Sequence, residues 1–454
     1  MDNRFFPHNT HLEDPQKFAD RDPQLRHLKK QTYVFQSPLL ERFPINKPGI
    51  YTLTGGRQSG KTTFLKQWIA KLIAQGIKPA NIAFMSCDLI PDAQSLWQLL
   101  QVQLDVMPLE DVKYILIDEI TYITDWEMVI KRAISEGLLQ NTVLLLSGSD
   151  SVLVYETPKL LPKNVSKKEI INFHLYPLSF AEVLKLKNKL PQSLKEKTIS
   201  SSEMTALFEE FQHYLQHGGY LTAINDLAKH KKISKATLMT YSDWVRGDML
   251  KRGKQEQNLR EILMCIIKRY NFPVTWQALV RDISIDHPKT IADYITELAY
   301  MDVLFIQSAL LEDKLLPAPK KPRKLAFIDP FIFHALRAWL WPTSDPYQTQ
   351  VVAALNDPQL CTQLVKACVA TQFQRHFPTY YIKSTGEVDI AYIKQKHFWP
   401  VQIKWSDELR SKDLKQITKY PNSLILGKNQ QYEQLNDISV VPLPLALLLI
   451  LPTK

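Results

Sequence analysis

The stretch that decides the fold of the N-terminal part of the chain is Gly55-Gly56-Arg57-Gln58-Ser59-Gly60-Lys61-Thr62-Thr63. It follows a short apolar run at residues 50–53 and precedes a segment with helical periodicity at residues 64–75. A strand, a glycine-rich turn and a helix in this order form the context of the phosphate-binding pattern G-x-x-x-x-G-K-[ST]. The sequence therefore predicts that residues 55–63 bind a nucleotide.

Several residues of this loop have a defined chemical role. Gly55 and Gly60 allow successive backbone amides to point at phosphate oxygens, where a side chain would block the approach. The helix that follows adds the positive end of its dipole. Lys61 is placed to reach the β and γ phosphates, and the Thr62 hydroxyl to ligate Mg²⁺.

A second motif complements the loop at residues 114–119, where an apolar run ends in Asp118 and Glu119. At the end of a strand Asp118 would hold Mg²⁺ through its water shell. Glu119 would act as the general base that polarises the attacking water. The pair therefore predicts hydrolysis of the nucleotide rather than its storage.

Four apolar runs alternate with helical stretches between residues 49 and about 178, at residues 50–53, 82–86, 114–117 and 143–147. This rhythm predicts a parallel sheet with crossover helices, and apolar residues on both alternations predict strands covered on two faces. The fourth run leads into a polar turn. Ser149 of that turn is the candidate sensor between the carboxylate and the γ phosphate, and a plain Ser/Gly turn is the alternative.

Composition sets broader limits. A chain of 454 residues with 45% apolar and 22% charged residues predicts two to four domains with ordinary cores. The net charge of +10 favours a polyanionic partner, nucleic acid first, while a merely basic cytosolic enzyme is the alternative. Four cysteines without C-x-x-C spacing argue against structural zinc and disulfides and favour a cytoplasmic protein. The polar N-terminus and the short apolar stretch at residues 440–452 predict no membrane association.

Five segments together carry a resemblance: GGRQSGKTT, IDEITYITDWE, LLLSGSDS, LYPLSFAEVL and QHGGYLTAI. In this order they resemble a family of bacterial and archaeal AAA+-related ATPases, and the resemblance runs from about residue 45 to the end. It implies an ATP-binding core, a helical extension, a winged helix and often a nuclease-like C-terminal fold whose role is poorly understood. ATP and Mg²⁺ are the implied ligands.

One departure from the resemblance concerns arginine. AAA+ catalysis usually needs an arginine at the γ phosphate, often from a neighbouring subunit, and no arginine stands between Arg132 and Arg246. Where relatives tend to carry Gly-Arg, residues 162–168 supply only lysines, which lack the planar fork. We therefore predict slow basal hydrolysis. Self-association or a protein partner could supply the missing cation.

The fold class is α/β, and the domains are divided accordingly. Residues 1–48 form an N-terminal segment, 49–180 the P-loop ATPase core with its parallel sheet, 181–256 a helical extension, 257–341 a winged helix, and 348–454 a restriction-endonuclease-like α/β domain. Helices at 259–270, 275–283 and 288–300 and strands at 303–306 and 324–328 underlie the winged helix. If the winged helix binds DNA, we expect the phosphates to be contacted by Lys289, Lys320, Lys321 and Arg323. A winged helix used only for packing between domains is the alternative.

The C-terminal segment is similar to the PD-(D/E)XK nuclease fold. In this interpretation Asp389 ligates a metal, Gln402 takes the second acidic position and Lys404 orients water. Gln402 offers a neutral oxygen where a carboxylate is usual, and Lys366 stands about where relatives place a glutamate, so nuclease activity is expected to be lost.

Three functions remain open at this point. The first is an ATP-hydrolysing AAA+-type switch associated with DNA through its basic C-terminal half. The second is an ATP-regulated, Mg²⁺-dependent nuclease, and the third a non-catalytic ATP-binding interaction protein. Glu119 favours the first over the third, because a purely structural nucleotide site has no use for a general base.

Overall fold

The structure is a computed structural model of the chain, and it divides into two units. It describes residues 2–108, 110–150, 153, 157, 170–192, 199–406, 414–429, 431–435 and 438–450. The first unit comprises Met1–Tyr176 with Tyr300–Asp302, and the second comprises Pro177–Ala299 with Val303–Lys454. In the described ranges, no helix combines the length and apolar character that crossing a bilayer requires.

The first unit is built on a five-stranded parallel sheet with strand order β2-β3-β4-β1-β5. Its strands are β1 (Gly49–Thr54), β2 (Ile82–Ser86), β3 (Lys113–Asp118), β4 (Thr142–Gly148) and β5 (Ile170–His174). Its helices are α1 (Phe18–Arg21), α2 (Pro23–Lys29), α3 (Lys61–Ala74), α4 (Ala93–Val106) and α5 (Trp126–Ser135), with 3-10 turns at Asn3–His8, Thr10–Leu12, Pro38–Arg42, Pro79–Asn81, Cys87–Leu89 and Ile120–Tyr122. The parallel sheet confirms the α/β prediction.

Alternate residues of the central strands enter two separate cores. Ile115 and Ile117 of β3 pack into a core with α4 and α5, whereas Tyr114 and Leu116 pack into a core with α3. Strands covered on both faces have to be apolar at every position, which is why these runs show no polar alternation. Since these strands are parallel, the carboxyl ends of β1, β3 and β4 lie on the same side of the sheet.

The N-terminal segment completes both cores, a role that its weak periodicity does not indicate. Phe5 packs with the core of α4 and α5, and Phe18 and Phe43 with the core of α3. Asp22 caps α2 through the backbone amides of Gln24 and Leu25. Its other carboxylate oxygen lies 3.2 Å from Lys66 Nζ, and both side chains are 1% exposed. A buried ion pair thus fastens the segment to α3.

The segment also covers the β2 edge of the sheet. The Asn9 side chain donates to the Phe84 carbonyl and accepts from the Phe84 amide, both at 2.8 Å. His11 Nε2 lies 3.1 Å from the Ile82 carbonyl. These side chains therefore occupy backbone groups that an edge strand would otherwise present to another strand.

The second unit begins with helices and ends with a six-stranded mixed sheet of order β10-β11-β12-β13-β15-β14. Its helices are α6 (Phe180–Leu186), α7 (Ser201–His217), α8 (Leu221–His230), α9 (Lys235–Lys251), α10 (Glu256–Lys268), α11 (Trp276–Val280), α12 (Pro288–Tyr300), α13 (Pro330–Leu340), α14 (Ala353–Asn356), α15 (Pro358–Gln374) and α16 (Leu443–Leu448), with a π-helix at Tyr347–Val352 and a 3-10 turn at Ile417–Lys419. Its strands are β6 (Leu304–Ser308), β7 (Leu310–Leu311), β8 (Leu316–Pro317), β9 (Arg323–Phe327), β10 (Thr379–Lys383), β11 (Glu387–Lys394), β12 (His397–Lys404), β13 (Leu424–Gly427), β14 (Glu433–Leu435) and β15 (Ile438–Pro442). Helices α10, α11 and α12 and the β6–β9 pair lie close to the helices and strands expected at residues 259–328, while the winged helix itself stays a prediction.

Gly218 and Gly219 make a close approach possible within this unit. Gly218 has φ +56°, and a Cβ there would lie 1.6 Å from Asp329 Oδ1; a Cβ on Gly219 would lie 2.0 Å from the Leu178 carbonyl oxygen. The buried Asp329 accepts from the amides of Gly219 and Phe331, and so caps α13 while it holds the glycine turn. A side chain at either position would clash with a neighbouring residue, which explains why both residues are glycine.

The β6–β9 pair is packed against the six-stranded sheet. Gln307 of β6 donates to the carbonyls of Tyr380 and Asp389 at 2.9 and 3.0 Å, and it is 1% exposed. Tyr381 donates from its hydroxyl to the Pro322 carbonyl at 2.6 Å. This two-stranded sheet is therefore a packing element of the second unit.

Candidate nucleotide site

The loop after β1 has the backbone that its glycines predicted. Gly55 has φ +148°, and a Cβ there would lie 2.3 Å from the Leu175 carbonyl oxygen. Gly60 has φ +97° and is the N-cap of α3. Because no L side chain fits the first position or adopts the second conformation readily, both glycines are required for the loop to curl over the start of the helix.

Lys61 turns its side chain back under this loop. Its ammonium donates to the carbonyls of Gly55 and Gly56 at 2.9 and 3.4 Å and lies 3.4 Å from Glu119 Oε1. The residue is only 4% exposed. A cation is thus held between the loop and the end of β3, where the phosphates of a nucleotide in this loop would need one.

Asp118 and Thr62 meet across the site. The Thr62 hydroxyl donates to Asp118 Oδ2 at 2.6 Å, and the Ser147 hydroxyl donates to Asp118 Oδ1. Asp118 is 2% exposed. Burial, and secondarily the charge of Glu119, raise the pKa of the Asp118 carboxyl, while the two hydroxyls and Lys61 oppose that rise. A hydroxyl and carboxylates side by side are the hard oxygen ligands that Mg²⁺ prefers, so the residues fit this ion.

Glu119 is held in an unusual conformation beside Asp118. Its φ is +53°, in the left-handed region that non-glycine residues rarely adopt. Its amide donates to the Ser147 hydroxyl at 3.2 Å, and its Oε2 accepts from the Ser149 amide at 3.2 Å. The carboxylate is therefore fixed in direction, as a general base has to be.

Arg57 connects the loop to the segment after Glu119. Its guanidinium donates to the Tyr122 hydroxyl and lies 5.7 Å from the centre of that ring. Tyr122 ends the 3-10 turn whose N-cap is Glu119. The third residue of the loop thus places an arginine on the same side as the predicted base.

The structure brings together most of the predicted site residues and adds one. Lys61 contacts Glu119, and Thr62 is hydrogen-bonded to Asp118. Ser149 reaches Glu119 with its backbone amide, whereas the hydroxyl that joins Asp118 and Glu119 belongs to Ser147. The sequence did not indicate a role for Ser147, because this residue ends an otherwise apolar run. Residues 162–168, where relatives tend to carry Gly-Arg, lie outside the described residues.

With this geometry in view, comparisons with known proteins are informative for the N-terminal half. A family model described as an AAA domain matches residues 47–184. Residues 47–184 form an AAA-type, ATPase-like domain. A protein of Haemophilus influenzae that carries the name "Uncharacterized protein" is 33% identical over 162 residues, which cover 34% of this chain and 38% of that relative. The match thus spans well under half of the relative's length.

Solved structures show weaker similarity over a longer part of the chain. A Walker-type ATPase of Pyrococcus abyssi covers 70% of this chain and 95% of its own, with 15% identity and a TM-score of 0.43. The ORC1 protein of Aeropyrum pernix, solved in complex with DNA, covers 73% of this chain and 94% of its own, with 11% identity and a TM-score of 0.26. At such TM-scores nothing about function is carried over from either structure.

Two of the four residues predicted for DNA contact, Lys321 and Arg323, have partners within the chain. Lys321 donates to the Lys383 carbonyl at 2.9 Å, and the Arg323 guanidinium lies 4.2 Å from the centre of the Trp276 ring. On α12, Asp293 and Glu297 pair with basic side chains of the segment that precedes α10, Lys254 and Arg252. Lys289 and Lys320 are exposed. The solvent side of α12 is thus partly acidic and partly engaged within the chain.

The three predicted nuclease-like residues lie on neighbouring strands. Asp389 of β11 is 3% exposed and accepts from the Gln402 side chain of β12. Lys404 ends β12, two residues beyond Gln402 and therefore on the same face of the sheet. The described residues contain no group of three or more His, Cys, Asp and Glu side chains arranged to hold a metal ion.

Proposed function

We propose that the chain binds ATP with Mg²⁺ and hydrolyses it slowly. The observation that supports this best is the joint placement of Lys61 between the loop carbonyls and Glu119, with Thr62 bonded to Asp118 beside it. A chance match to the loop pattern would not bring a base, a cation and two oxygen ligands together at the ends of two different strands.

Each residue has one task in this proposal. The loop amides and Lys61 bind the β and γ phosphates, and Lys61 exchanges its carbonyl partners for phosphate oxygens. Thr62 and Asp118 would hold Mg²⁺, which neutralises charge on the phosphate oxygens when bound. Glu119 accepts the proton of the attacking water. Ser147 holds Asp118 and Glu119 in register through its hydroxyl.

The proposal is tested by measuring ATP binding and turnover of the full chain. We expect micromolar to millimolar ATP to be turned over with Mg²⁺ at well below about 1 per second. Residues 133–245 contain no arginine, and P-loop enzymes that rely on an arginine within the same chain turn over at about 10⁻² per second. Lys61→Ala should weaken ATP binding by about 10–100-fold, the worth of a charge-assisted hydrogen bond of about 1.5–3 kcal/mol. Lys78→Ala, which removes an exposed lysine, is the matched control. Unchanged ATP affinity in Lys61→Ala would refute the proposal.

We further propose that Arg57 supplies the guanidinium that a separate arginine provides elsewhere. It belongs to the loop itself, and Tyr122 directs it to the side of Glu119. Arg57→Ala should lower kcat by up to about 10³-fold, the low end of the effect of an arginine finger, with a small change in KM for ATP. Arg57→Lys should not restore the rate, because an ammonium lacks the fork.

Arg42→Ala, which removes an exposed arginine, is the control for that experiment. If Arg57→Ala retains the wild-type kcat, the cation comes from elsewhere. A turnover number that rises steeply with protein concentration would then identify a neighbouring copy as its source.

Association with DNA stays a prediction that rests on the net charge and the predicted winged helix. The geometry supports ATP hydrolysis better than DNA binding, because Lys321 and Arg323 are engaged within the chain. A salt-sensitive gel shift with duplex DNA, or stimulation of ATP turnover by DNA, would support the association.

A further inference from the structure

The buried Asp389 of β11 is surrounded by nitrogen donors on every side. Its Oδ1 accepts from Lys366 Nζ of α15 at 2.7 Å, and Lys324 Nζ of β9 lies 3.7 Å away. Its Oδ2 accepts from the Gln402 side chain and from the Ile403 amide, the latter at 2.9 Å. Both oxygens of this carboxylate therefore already accept N–H donors, Oδ1 from one and Oδ2 from two.

The neighbours of Asp389 form a cluster of charged groups. Lys324 is 2% exposed and lies 2.7 Å from Glu387 Oε1, two residues before Asp389 on the same face of β11. Lys366 and Lys324 thus lie against two carboxylates, and the more exposed Lys383 lies 3.7 Å from Glu387 as well. Burial alone would raise the pKa of Asp389, but the charges of Lys366 and Lys324 outweigh it and hold that pKa below its usual value. Asp389 is therefore an ionised carboxylate whose counter-ions are the side chains of Lys366 and Lys324.

A divalent cation does not fit these residues. Gln402 donates its amide N–H to Asp389, so the group predicted as second ligand is turned the wrong way to share a cation with it. The Lys366 ammonium stands against the carboxylate oxygen that a metal would have to reach. Mg²⁺ requires several oxygens at about 2.0–2.1 Å, and this arrangement presents nitrogen instead.

We propose that the Lys366 ammonium takes the place of a divalent cation at Asp389, so that this sheet is a metal-independent packing domain without nuclease activity. The cluster joins three parts of the second unit: α15 through Lys366, β9 through Lys324, and the sheet through Asp389. Gln307 of β6 adds a bond to the Asp389 carbonyl. In this proposal the Lys366 ammonium stabilises the packing of α15 against β11, and Lys324 does the same for the β6–β9 pair.

The first test replaces the Lys366 ammonium with a carboxylate in the full chain. Lys366→Glu is combined with Asp118→Asn, so that divalent cations at the nucleotide site do not contribute. We expect Mn²⁺ at millimolar concentration to raise the melting temperature of this double variant by about 5 °C or more. The melting temperature of the single variant Asp118→Asn should not change. If Mn²⁺ raises the melting temperature of Asp118→Asn equally, and Asp389→Asn removes that effect, a metal site already exists and the proposal is wrong.

A second variant keeps the proposal testable if Lys366→Glu does not fold. Lys366→Met preserves the length of the side chain and removes the charge, and it should lower the melting temperature by about 5 °C or more, since it leaves a buried carboxylate short of a counter-ion. Lys383→Met is the matched control, because Lys383 is 43% exposed and lies 3.7 Å from the same Glu387. Equal melting temperatures for Lys366→Met and Lys383→Met would overturn the proposal.

Plasmid nicking is the third measurement. The wild-type chain with Mn²⁺ should leave supercoiled plasmid intact. Nicking that Asp389→Asn abolishes would show a working metal site and contradict the assignment of Lys366.

Discussion

Replacing Glu119 with glutamine is expected to lower the rate of ATP hydrolysis by about 10²–10⁴-fold, the range for loss of a general base. Glutamine retains an oxygen that can accept the Ser149 amide, so the loop geometry should be preserved. It has no carboxylate to take the proton from water. The variant should therefore bind ATP with Mg²⁺ at near wild-type affinity and release little phosphate.

Single-turnover phosphate release and ATP affinity measured on the same preparation separate the two effects. Glu110→Gln, which alters an exposed residue away from the site, should match the wild type in both. Hydrolysis at the wild-type rate by Glu119→Gln would mean that water is activated by another group, and the assignment of the site would have to be withdrawn.

Replacing Asp22 with asparagine is expected to destabilise the first unit by about 3–5 kcal/mol, the cost of removing one partner from a buried ion pair. Asparagine can still accept the amides that cap α2, so the loss is confined to Lys66. That ammonium also donates to the His8 carbonyl and lies 3.9 Å from the centre of the Phe84 ring, but neither group carries a compensating charge. Hydrogen exchange of the amides of β2 and α3 would measure the loss directly.

The matched control is Asp20→Asn, since Asp20 pairs with Lys29 at the surface, where the two side chains are 70% and 55% exposed. It should cost less than about 1 kcal/mol. Equal protection from exchange in the two variants would show that the Asp22–Lys66 pair does not fasten the segment.

The pH dependence of Asp22→Asn gives a further check with a definite sign. Burial lowers the pKa of Lys66 below its ordinary value of 10.5, and the Asp22 charge opposes that fall. Without the charge the folded variant binds fewer protons than the unfolded chain over a wider window below 10.5. Stability therefore rises with pH wherever the unfolded state binds more protons. The variant should recover part of its deficit relative to the wild type as the pH approaches 10.

The residues of the candidate nucleotide site could be recognised in the sequence because most of them belong to two short continuous motifs. Gly55, Gly60 and Lys61 follow one strand directly, and Asp118 and Glu119 end another, so the meeting of strand ends at one sheet edge does the rest. Ser147 could not be predicted in this way. Its hydroxyl matters only because β4 lies between β3 and β1, and that strand order is a property of the folded sheet.

The N-terminal segment was unpredictable for a related reason. Its contacts are made by single residues such as Phe18 and Phe43, spaced without any helical or strand period. Its anchoring ion pair joins residues 44 positions apart, since Asp22 and Lys66 meet only in three dimensions. Periodicity detects a regular face and misses a chain that is held at isolated points.

At the C-terminal sheet the sequence predicted the proximity of Asp389 and Gln402 and the loss of nuclease activity, which stays a prediction. The reasons proposed from sequence were the neutral side chain of Gln402 and the position of Lys366 about where relatives place a glutamate. The structure adds Lys324, which comes from β9 outside the predicted domain, and therefore could not be foreseen from the spacing of residues on β11 and β12.

Asn9 has one more consequence, for how copies of this chain could assemble. Because its amide side chain imitates a backbone partner for Phe84, an incoming β-strand finds both groups of that residue already bonded. Pairing of a strand from another molecule with β2 is therefore disfavoured, and so is aggregation through this edge of the sheet. A homo-oligomer that extends this sheet by pairing at β2 is therefore not expected.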